Sequence, residues 1–163
     1  MTVSLEREHP SCFTLYAGLD GTITMRIIVE NNLKEWIKKC EALELHPYTD
    51  TVGKLTIGYG RNLEDNGISA EEADYLFNND FARCQRELAA CAWYQGQPEG
   101  VQAALINMCF NLGLPRLKGF KRMIAALLAK NYTLVAQEAL NSKWATQVGQ
   151  RAKDVAVMLR EGK

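Results

Sequence analysis

The stretch from Cys40 to Arg61 constrains the fold of this chain most, because it interrupts a sequence otherwise patterned for helices. It predicts the end of a helix, then a loop, then a tight β-hairpin. Gly53-Lys54 is a Gly-X pair, typical of two-residue type II′ turns, and apolar Val52 and Leu55 flank it. A hairpin among helices indicates an α+β fold with a small sheet.

Two carboxylates and a hydroxyl lie in or beside this hairpin. A hairpin folds the chain back on itself, so we expect Asp50 and Thr56 to be close, with Glu41 at the end of the preceding helix. Glycoside hydrolysis uses two carboxyl groups in such a small volume. A structural interpretation stays open, in which Glu41 joins a salt bridge, Asp50 caps a turn and Thr56 only suits a strand.

Cleaving a glycosidic bond near neutral pH needs one protonated and one ionised carboxyl group, which different surroundings can provide. Glu41 ends an apolar helix next to Cys40, so partial burial would favour its protonated form and make it the general acid. Asp50 lies on the wetter edge of the hairpin, which suits an ionised carboxylate. The two environments therefore predict an acid at Glu41 and an ionised partner at Asp50.

The composition narrows the class of protein. With 163 residues, 47% of them hydrophobic, the chain predicts one globular domain or two small lobes that share a core. No apolar run approaches the roughly 18 residues of a membrane span, so we expect no stable membrane insertion. The start of the sequence is acidic and polar and does not resemble a signal peptide, which predicts synthesis in the cytoplasm.

Charge is divided unevenly along the chain. Residues 1–98 carry nine Lys and Arg against fifteen Asp and Glu, whereas residues 99–163 carry ten against four. The basic part would attract an anionic polymer such as cell wall, although a solvated surface without a partner explains the pattern equally well. No basic stripe with interleaved aromatic residues is present, so we expect no nucleic-acid partner.

The five cysteines predict neither a disulfide framework nor a zinc site, because their number is odd and no two have the CxxC spacing. They are Cys12, Cys40, Cys84, Cys91 and Cys109. Cys40, Cys84 and Cys109 fall on apolar helical faces, where a buried free thiol is the usual outcome. With only two histidines in the chain, we expect no metal site and no cofactor.

Local signals predict the other elements of the N-terminal half. Leu33–Cys40 has apolar residues on one helix face, with Asn31 or Asn32 as its cap. A capping box, Ser69 to Glu72, begins a long helix whose predicted apolar face is Ala73, Leu76, Phe77, Phe81, Cys84 and Leu88. The predicted divisions are an arm at 1–24 and a domain at 25–163, with an N-lobe at 25–68, a connecting helix at 69–91 and a helical C-lobe at 97–163.

The C-lobe sequence predicts a buried helix followed by shorter ones. Val101–Leu112 is apolar nearly all round, which is typical of a core helix, and Gly113 and Pro115 predict its end. Three further helices are predicted, with Trp144 in a turn between the last two: about Leu117–Lys130, Leu134–Asn141 and Gly149–Arg160. A cleft between the lobes would hold a ligand.

Three stretches resemble, in order, motifs of the phage-type lysozymes, glycoside hydrolase family twenty-four. The first is Glu41-x8-Asp50-x5-Thr56, followed by Ile57-Gly58-x-Gly60. The second is the apolar run Ala103–Gly113, and the third is Trp144-x-x-Gln147-x-x-x-Arg151. The resemblance covers roughly residues 33–159, most of the chain.

The resemblance implies a role for each residue of the first motif. Glu41 would protonate the leaving oxygen, and Asp50 with Thr56 would position or activate the attacking water. Since the family is associated with inversion, the resemblance implies an inverting glycosidase. It also implies a lysozyme-like fold, with a small N-terminal lobe, a long connecting helix and a helical C-terminal lobe.

The resemblance further implies supporting residues in the C-lobe. Arg151 follows Gln147 by four residues, so the two share a predicted helix face, and Arg151 would contact Glu41. Phe110 and Asn111 would line the cleft, with asparagine where the T-even enzymes have glutamine.

Comparison with the T-even pattern adds three further residues to the predicted site. Arg61 stands where those enzymes have histidine, and Asp80 matches its acidic partner, so an Arg61–Asp80 pair would brace the N-lobe. Lys143 replaces an arginine and would meet the peptide carboxylates of peptidoglycan. Trp144 is predicted to belong to the core rather than to form a sugar platform.

Residues and resemblance together predict a peptidoglycan muramidase, an endolysin of a phage or prophage that cleaves between N-acetylmuramic acid and N-acetylglucosamine. It would be a monomer, made in the host cytoplasm and acting in the periplasm or on the wall after a holin or another lesion opens the membrane. Two alternatives stay open. One is a lytic transglycosylase on the same fold, which needs Glu41 but not Asp50; the other is a non-catalytic wall-binding or tail-associated module.

Overall fold

The computed structural model describes residues 30–162, with side chains from residue 33 onward. The predicted arm at 1–24 and Cys12 lie outside the described residues. The chain divides into two compact units at Gly67 and Ile68. We call them the sheet unit, described from residue 30 to 67, and the helical unit, described from 68 to 162. The fold class is α+β, as predicted.

Within its described range the sheet unit contains two helices and three short strands. They are α1 (Glu30–Cys40), β1 (Glu44–Thr49), β2 (Leu55–Gly58), β3 (Arg61–Asn62) and α2 (Leu63–Asn66). The strands form one antiparallel sheet in the order β1-β2-β3. Because α1 already includes Glu30, neither Asn31 nor Asn32 is its cap, contrary to the prediction. The sequence also does not predict β3, since two residues are too few to show an alternation.

The β1–β2 hairpin has a longer loop than its sequence predicts. Thr49 pairs with Leu55, so the loop runs from Asp50 to Lys54. The Asp50 carboxylate accepts hydrogen bonds from the N–H groups of Val52 and Lys54, and these bonds close the loop around the side chain. A two-residue turn would pair Val52 with Leu55 instead. The predicted type II′ turn is therefore wrong, because a side chain competes successfully for the backbone donors.

β1 continues through Pro47, where the sequence predicts a loop. It is an edge strand, and its pairing with β2 shifts register between Glu44 and Tyr48. Proline has no N–H to donate, so it is tolerated where a strand is at an edge or irregular. The irregular stretch of an edge strand therefore accommodates the proline without breaking the sheet.

The helical unit comprises seven helices over its described range. They are α3 (Ala70–Ala89), α4 (Glu99–Leu112), α5 (Leu114–Leu117), α6 (Lys121–Leu128), α7 (Tyr132–Leu140), α8 (Lys143–Val148) and α9 (Gln150–Glu161). Their buried apolar side chains form one core. Its largest fully buried members include Leu88, Leu105, Met108, Leu117, Met123, Leu127 and Leu159.

Local signals account for the start of α3. The Ser69 hydroxyl accepts a hydrogen bond from the Glu72 N–H, and the Glu72 carboxylate accepts one from the Ser69 N–H, so the predicted capping box is confirmed. The predicted apolar face is covered only in part. Cys84 and Leu88 are buried, whereas Phe77 is 50% exposed. The core of the helical unit thus packs on the C-terminal part of this helix.

α4 passes through the helical core, as its composition predicts. Leu105 and Met108 are fully buried, and burial of such a side chain stabilises the fold by roughly 1.5–3 kcal/mol. One edge of the helix is not covered in the same way. It carries Asn107, Phe110 and Asn111, which share a face because they are three and four residues apart.

The helices after Gly113 differ from the prediction in their bounds. Pro115 lies in the first turn of the short helix α5, where its missing N–H costs no hydrogen bond. The predicted helix over 117–130 is therefore two elements, α5 and α6. Trp144 lies in α8 rather than in a turn, because the Ser142 side chain accepts a hydrogen bond from the Ala145 N–H and caps a new helix.

The described cysteines are all free thiols, and three of them are buried. Burial, helped by the neighbouring Cys84, raises the pKa of Cys109 to about 12, so this thiol stays protonated. Cys40 is exposed, contrary to the prediction, because the described residues do not cover the apolar face of α1, where Ile37 is 44% exposed. Cys91 is buried as well.

Residues 30–162 contain neither a metal-site arrangement nor a membrane-spanning helix. No group of three or more His, Cys, Asp and Glu side chains there is arranged as a metal site. No helix in the same range combines the length and apolar character needed to cross a membrane.

Candidate active site

Donors from its own loop hold the Asp50 carboxylate. Oδ1 accepts hydrogen bonds from the main-chain N–H of Val52 at 2.9 Å and of Lys54 at 2.8 Å. The N–H of Asp50 donates to the Lys54 carbonyl at 2.9 Å, so the two ends of the loop are also bonded. Gly53 has a φ of +88°, which glycine adopts without strain, and this lets the chain turn back within five residues.

Thr56 places its hydroxyl beside the other oxygen of Asp50. It lies in the central strand β2 and, at 2% exposed, is the one buried residue among those described in the sheet unit. Oγ1 lies 3.4 Å from Asp50 Oδ2 and 3.1 Å from the Lys54 carbonyl oxygen, and its single proton serves one acceptor at a time. The predicted proximity of Asp50 and Thr56 is confirmed, although a five-residue loop produces it.

The same donors lower the pKa of Asp50 below its ordinary range. The N–H of Lys54 contributes most; partial burial opposes it, and the N–H of Val52 and the Thr56 hydroxyl act in the same direction as Lys54. Asp50 is therefore ionised at neutral pH. This agrees with the ionised carboxylate that the sequence predicts.

Glu41 directly follows α1 and lies against the turn between β2 and β3. Its N–H donates to the Ile37 carbonyl at 2.9 Å, which extends the last turn of α1 by one residue. A Cβ atom at Gly60 would lie 3.6 Å from Glu41 Oε2, so the carboxyl group passes close to the bare backbone of this glycine. Glu41 is exposed, and the partial burial expected beside Cys40 is not found.

A second contact joins the end of α1 to the same turn. Lys38 Nζ lies 5.9 Å from the centroid of the Tyr59 ring, within the range of a cation–π interaction. Lys38 also forms an exposed ion pair with Glu35 at 2.9 Å, one helical turn earlier. Together with the approach of Glu41 to Gly60, this contact places the end of α1 beside the β2–β3 turn.

Arg61 and Asp80 each have a partner within their own unit. Arg61 Nε donates to the Gly67 carbonyl at 2.8 Å, beyond the end of α2. Asp80 accepts a hydrogen bond from Arg83 Nη2 at 2.8 Å on the surface of α3. The predicted Arg61–Asp80 pair joins residues of different units and stays a prediction.

Arg151 is held by Asn107, a residue that the sequence analysis missed. Nε donates to Asn107 Oδ1 at 2.8 Å and Nη2 to the Asn107 carbonyl at 3.3 Å, so α9 is tied to α4. The one sequence signal for Asn107 is its position four residues before Asn111 on the same helix face. The predicted contact of Arg151 with Glu41 stays a prediction.

Arg151 and Gln147 do not share a helix face, contrary to the prediction. Gly149, with a φ of +58°, ends α8 and caps α9, so the two residues belong to different helices. A separation of four residues therefore does not put Gln147 and Arg151 on one helix face here.

Asn111 is tied to Trp144. The indole Nε1 donates to Asn111 Oδ1 at 2.8 Å, and Trp144 is 3% exposed, which confirms its predicted place in the core. Phe110 is 37% exposed, and its ring centroid lies 5.2 Å from that of Phe77 in a tilted arrangement. The uncovered edge of α4 thus presents one aromatic ring and one amide that a buried indole orients.

Lys143 lies in the first turn of α8, on the wall of a groove of about 550 Å³ in the helical unit. Phe120 and Trp144 contribute aromatic surface to this groove. Arg122 contributes positive charge and forms an ion pair of 2.7 Å with Glu138, another lining residue. The groove therefore combines apolar, cationic and carboxylate surface.

The arrangement of the sheet unit suits acid–base chemistry. It holds an ionised carboxylate against a hydroxyl, and it presents a second, exposed carboxyl group at the end of α1. A family model for phage lysozyme matches residues 38–160, about three quarters of the chain, and this range includes every candidate site residue. The chain belongs to the phage lysozyme family. The resemblance carried by the three sequence motifs is thus confirmed.

Similar proteins include one from a phage and one from another organism. The chain is 28% identical over 160 aligned residues to the pre-baseplate central spike protein Gp5 of Enterobacteria phage T4, and the match covers 80% of this chain. It is 25% identical over 162 residues to "Probable T4-type lysozyme 2" of Dictyostelium discoideum, with 81% of this chain covered. The chain spans 28% of the length of the spike protein and 95% of the length of the Dictyostelium protein.

Proposed function

We propose that this protein is a peptidoglycan muramidase, which hydrolyses the β-1,4 bond between N-acetylmuramic acid and N-acetylglucosamine. Membership of the phage lysozyme family supports a glycosidase with peptidoglycan as its substrate. The observation that carries the proposal is the meeting of Asp50 and Thr56, 3.4 Å apart, in the small sheet whose β2–β3 turn contacts Glu41.

Glu41 acts as the general acid and protonates the leaving oxygen. The carboxyl group is exposed, and its neighbour Gly60 has no side chain, so a sugar oxygen can approach it from solvent. Asp50 acts as the base. Because the loop donors keep it ionised at neutral pH, it can accept a proton from the attacking water.

Thr56 orients Asp50 for this step. The hydroxyl is almost fully covered, whereas Asp50 is half-buried, so the water meets the carboxylate and the threonine fixes its direction. When the hydroxyl donates to Asp50 Oδ2, it uses one lone pair of that oxygen and leaves the other for the water. This division of roles explains why a hydroxyl is placed beside a carboxylate that is already ionised.

The mechanism that we propose is inversion. An inverting glycosidase has its carboxyl groups roughly 6.5–9.5 Å apart, which leaves room for a water opposite the leaving group. Direct attack by that water produces an α-anomer from a β-linked substrate. Proton NMR of the product immediately after cleavage checks this, and a β-anomer as first product contradicts it.

The helical unit supplies contacts to the substrate rather than the reacting groups. We assign Phe110 and Asn111 to the sugar chain, since α4 presents both on an uncovered edge. Lys143 and the groove beside it suit the peptide stems of peptidoglycan, because the groove offers cationic and apolar surface. We also assign Arg151 a supporting role, since Asn107 fixes its planar fork.

The biological role that we propose is lysis of a bacterial host by a phage or prophage. The protein would be made in the host cytoplasm as a monomer and would reach the periplasm or wall after a holin or another lesion opens the membrane. The likeness to a phage T4 protein supports a phage setting. Expression in bacteria with and without a co-expressed holin tests the role, and lysis that needs no membrane lesion contradicts it.

A tail-associated wall module is the second candidate. The similarity to a protein whose name describes it as a central spike favours this setting. In a non-catalytic module of this kind, Glu41 and Asp50 would be dispensable for the biological role, so variants that retain the role identify it.

The experiment that tests the proposed function is digestion of purified peptidoglycan by wild type, Glu41→Gln and Asp50→Asn, with the products identified by mass spectrometry. We expect reducing muramic acid ends from the wild type and their loss in both variants. Matched controls are Glu44→Gln and Asp74→Asn, which remove an exposed carboxylate elsewhere and should leave cleavage intact.

Two other outcomes have defined meanings. Anhydro ends that persist in Asp50→Asn identify a lytic transglycosylase, because intramolecular attack by the sugar needs no activated water. No cleavage by folded wild type contradicts both enzymes and leaves the wall-binding or tail-associated module.

A further inference from the structure

Lys54 contacts both residues of the proposed water-activating pair through its main chain. Its N–H donates to Asp50 Oδ1 at 2.8 Å, and its carbonyl oxygen lies 3.1 Å from Thr56 Oγ1. The same carbonyl accepts the N–H of Asp50 at 2.9 Å. The position of this one residue therefore decides how the carboxylate and the hydroxyl face each other.

The side chain of Lys54 joins the loop to α2. Nζ lies 3.0 Å from Glu64 Oε1 and 3.0 Å from Asp65 Oδ1. Asp65 is itself held, because Asn62 Nδ2 donates to its Oδ2 at 2.8 Å. Asn62 belongs to β3, which pairs with β2. The loop follows β1 at one edge of the sheet and is therefore anchored to β3 at the other edge.

Nothing in the sequence motif assigns a role to this residue. Lys54 lies at one of the unspecified positions between Asp50 and Thr56, and the Gly53-Lys54 pattern by itself indicates only a turn. Its two ion pairs explain why a lysine is placed there, because a shorter or apolar side chain would not reach both carboxylates of α2.

We propose that Lys54 is a positioning residue: its ion pairs with Glu64 and Asp65 hold its main chain where it orients Asp50 and Thr56 for reaction. This inference rests on the muramidase function proposed above. The side chain of Lys54 bonds to Glu64 and Asp65, and its main chain contacts Asp50 and Thr56. Its contribution is to keep the loop in the one geometry that places both partners correctly.

The size of the effect follows from the exposure of the ion pairs. The Lys54 side chain is 36% exposed and its partners 52% and 55%, and exposed pairs contribute little individually. Loss of the anchor should therefore slow the reaction about five- to tenfold rather than abolish it. The loss should appear in kcat, because the substrate-binding residues are unchanged.

The test compares three variants on soluble peptidoglycan fragments: Lys54→Met, the double variant Glu64→Gln/Asp65→Asn, and Lys54→Arg. We expect the first two to lower kcat by similar factors with KM within about twofold of wild type. We expect Lys54→Arg, whose forked guanidinium can bond to two carboxylates, to keep kcat close to that of wild type. Lys153→Met removes an exposed lysine from α9 and serves as the charge control.

A second measurement needs no substrate. The N–H of residue 54 bonds to Asp50 Oδ1, so its hydrogen exchange, measured by NMR, reports whether the loop holds its geometry. We expect faster exchange at this amide in Lys54→Met and in the double variant, with other sheet amides unchanged.

The outcomes separate the two proposals. Wild-type protein that fails to cleave peptidoglycan overturns the proposed function. In an active enzyme, unchanged exchange and unchanged kcat in the first two variants overturn the role of Lys54 alone. A loss of kcat in Lys54→Met but not in the double variant also overturns it, since the charge of Lys54 would then act without its anchor.

Discussion

In the sheet unit, one described residue, Thr56, is buried, whereas the helical unit packs 21 buried hydrophobic residues into one core. The two regions also hold their site residues differently. Asp50 is fixed by hydrogen bonds from its own loop, while Trp144 and Arg151 project from packed helices and each meets an asparagine of α4.

This difference separates reactivity from stability. A few directional bonds within a short loop set the geometry and the pKa of Asp50, so small changes there should alter the chemistry and leave the global fold intact. The helical unit derives its stability from apolar burial, so substitutions in its core should unfold it without touching a reacting group. The predictions below challenge this division.

The largest expected effect is a loss of activity without a loss of stability. Glu41→Gln removes the proposed general acid, and the typical contribution of such a group, 10²–10⁴ in rate, predicts a fall in kcat of about 10³-fold. Because Glu41 is exposed, the free energy of unfolding should stay within about 0.5 kcal/mol of wild type. Reducing-end assays and denaturant unfolding measure the two. A variant that loses stability as well would show that reactivity and stability are not separated.

The next effect is a loss of stability in the helical core. Leu105 is fully buried in α4, so Leu105→Ala should lower the free energy of unfolding by about 2–5 kcal/mol. Leu45 is 73% exposed in β1, and Leu45→Ala should change it by less than about 0.5 kcal/mol. Urea denaturation compares the pair. Equal losses would mean that the sheet unit depends on apolar burial as much as the helical unit does.

A smaller effect concerns a local hydrogen bond in the helical unit. Ser69→Ala removes the capping box of α3 and should lower the free energy of unfolding by about 1 kcal/mol, with kcat unchanged. Ser69→Asp keeps an acceptor at the cap and should behave like wild type. If thermal unfolding of Ser69→Ala matches that of wild type, this cap does not contribute to stability.

The smallest effect is a shift in titration. Thr56→Val removes one donor, so the pKa of Asp50 should rise towards its ordinary value, whereas Thr56→Ser should keep it low. Carbon NMR of the Asp50 carboxyl group measures this directly. A pKa in Thr56→Val as low as in wild type would show that the loop N–H groups act alone.

The same shift has a consequence for stability against acid. A pKa that is lower in the folded than in the unfolded state stabilises the fold above the unfolded value, and this contribution is lost as the pH falls through the folded value. Thr56→Val narrows the gap between the pKa values of Asp50 in the folded and unfolded states. Its acid unfolding should therefore begin at a higher pH than that of wild type, and circular dichroism across an acid titration measures the midpoint.

Much of the helical unit could be predicted because residues close together in the sequence determine where its helices begin and which of them are buried. The capping box at Ser69 and Glu72 involves residues three apart, and the all-apolar pattern of α4 places it in the core without knowledge of its neighbours. Where the prediction was wrong, a second local signal competed. Ser142 caps a helix that the sequence was not expected to form, and Pro115 begins one as well as ending another.

The sequence predicted that Asp50 and Thr56 lie close together, but it did not predict the loop that brings them together. The spacing of Asp50 and Thr56 around a turn made their proximity predictable. The loop that produces it was not, because the preference of a Gly-X pair for a tight turn is weaker here than the bonds that Asp50 makes to two backbone donors. The turn preference of the Gly-X pair describes the backbone alone. The hydrogen bonds of the Asp50 side chain decided which residues of β1 and β2 pair.

The sequence by itself determined the family, the kinds of element and the candidate site residues, since these depend on motif order and local pattern. Only the tertiary structure decided the partners: Asn107 for Arg151, Asn111 for Trp144, and Glu64 and Asp65 for Lys54. Arg151 and Asn107 are 44 residues apart, and no local preference links them. Such contacts form because packing brings two elements together, and that packing is the sum of many burial terms that no single motif contains.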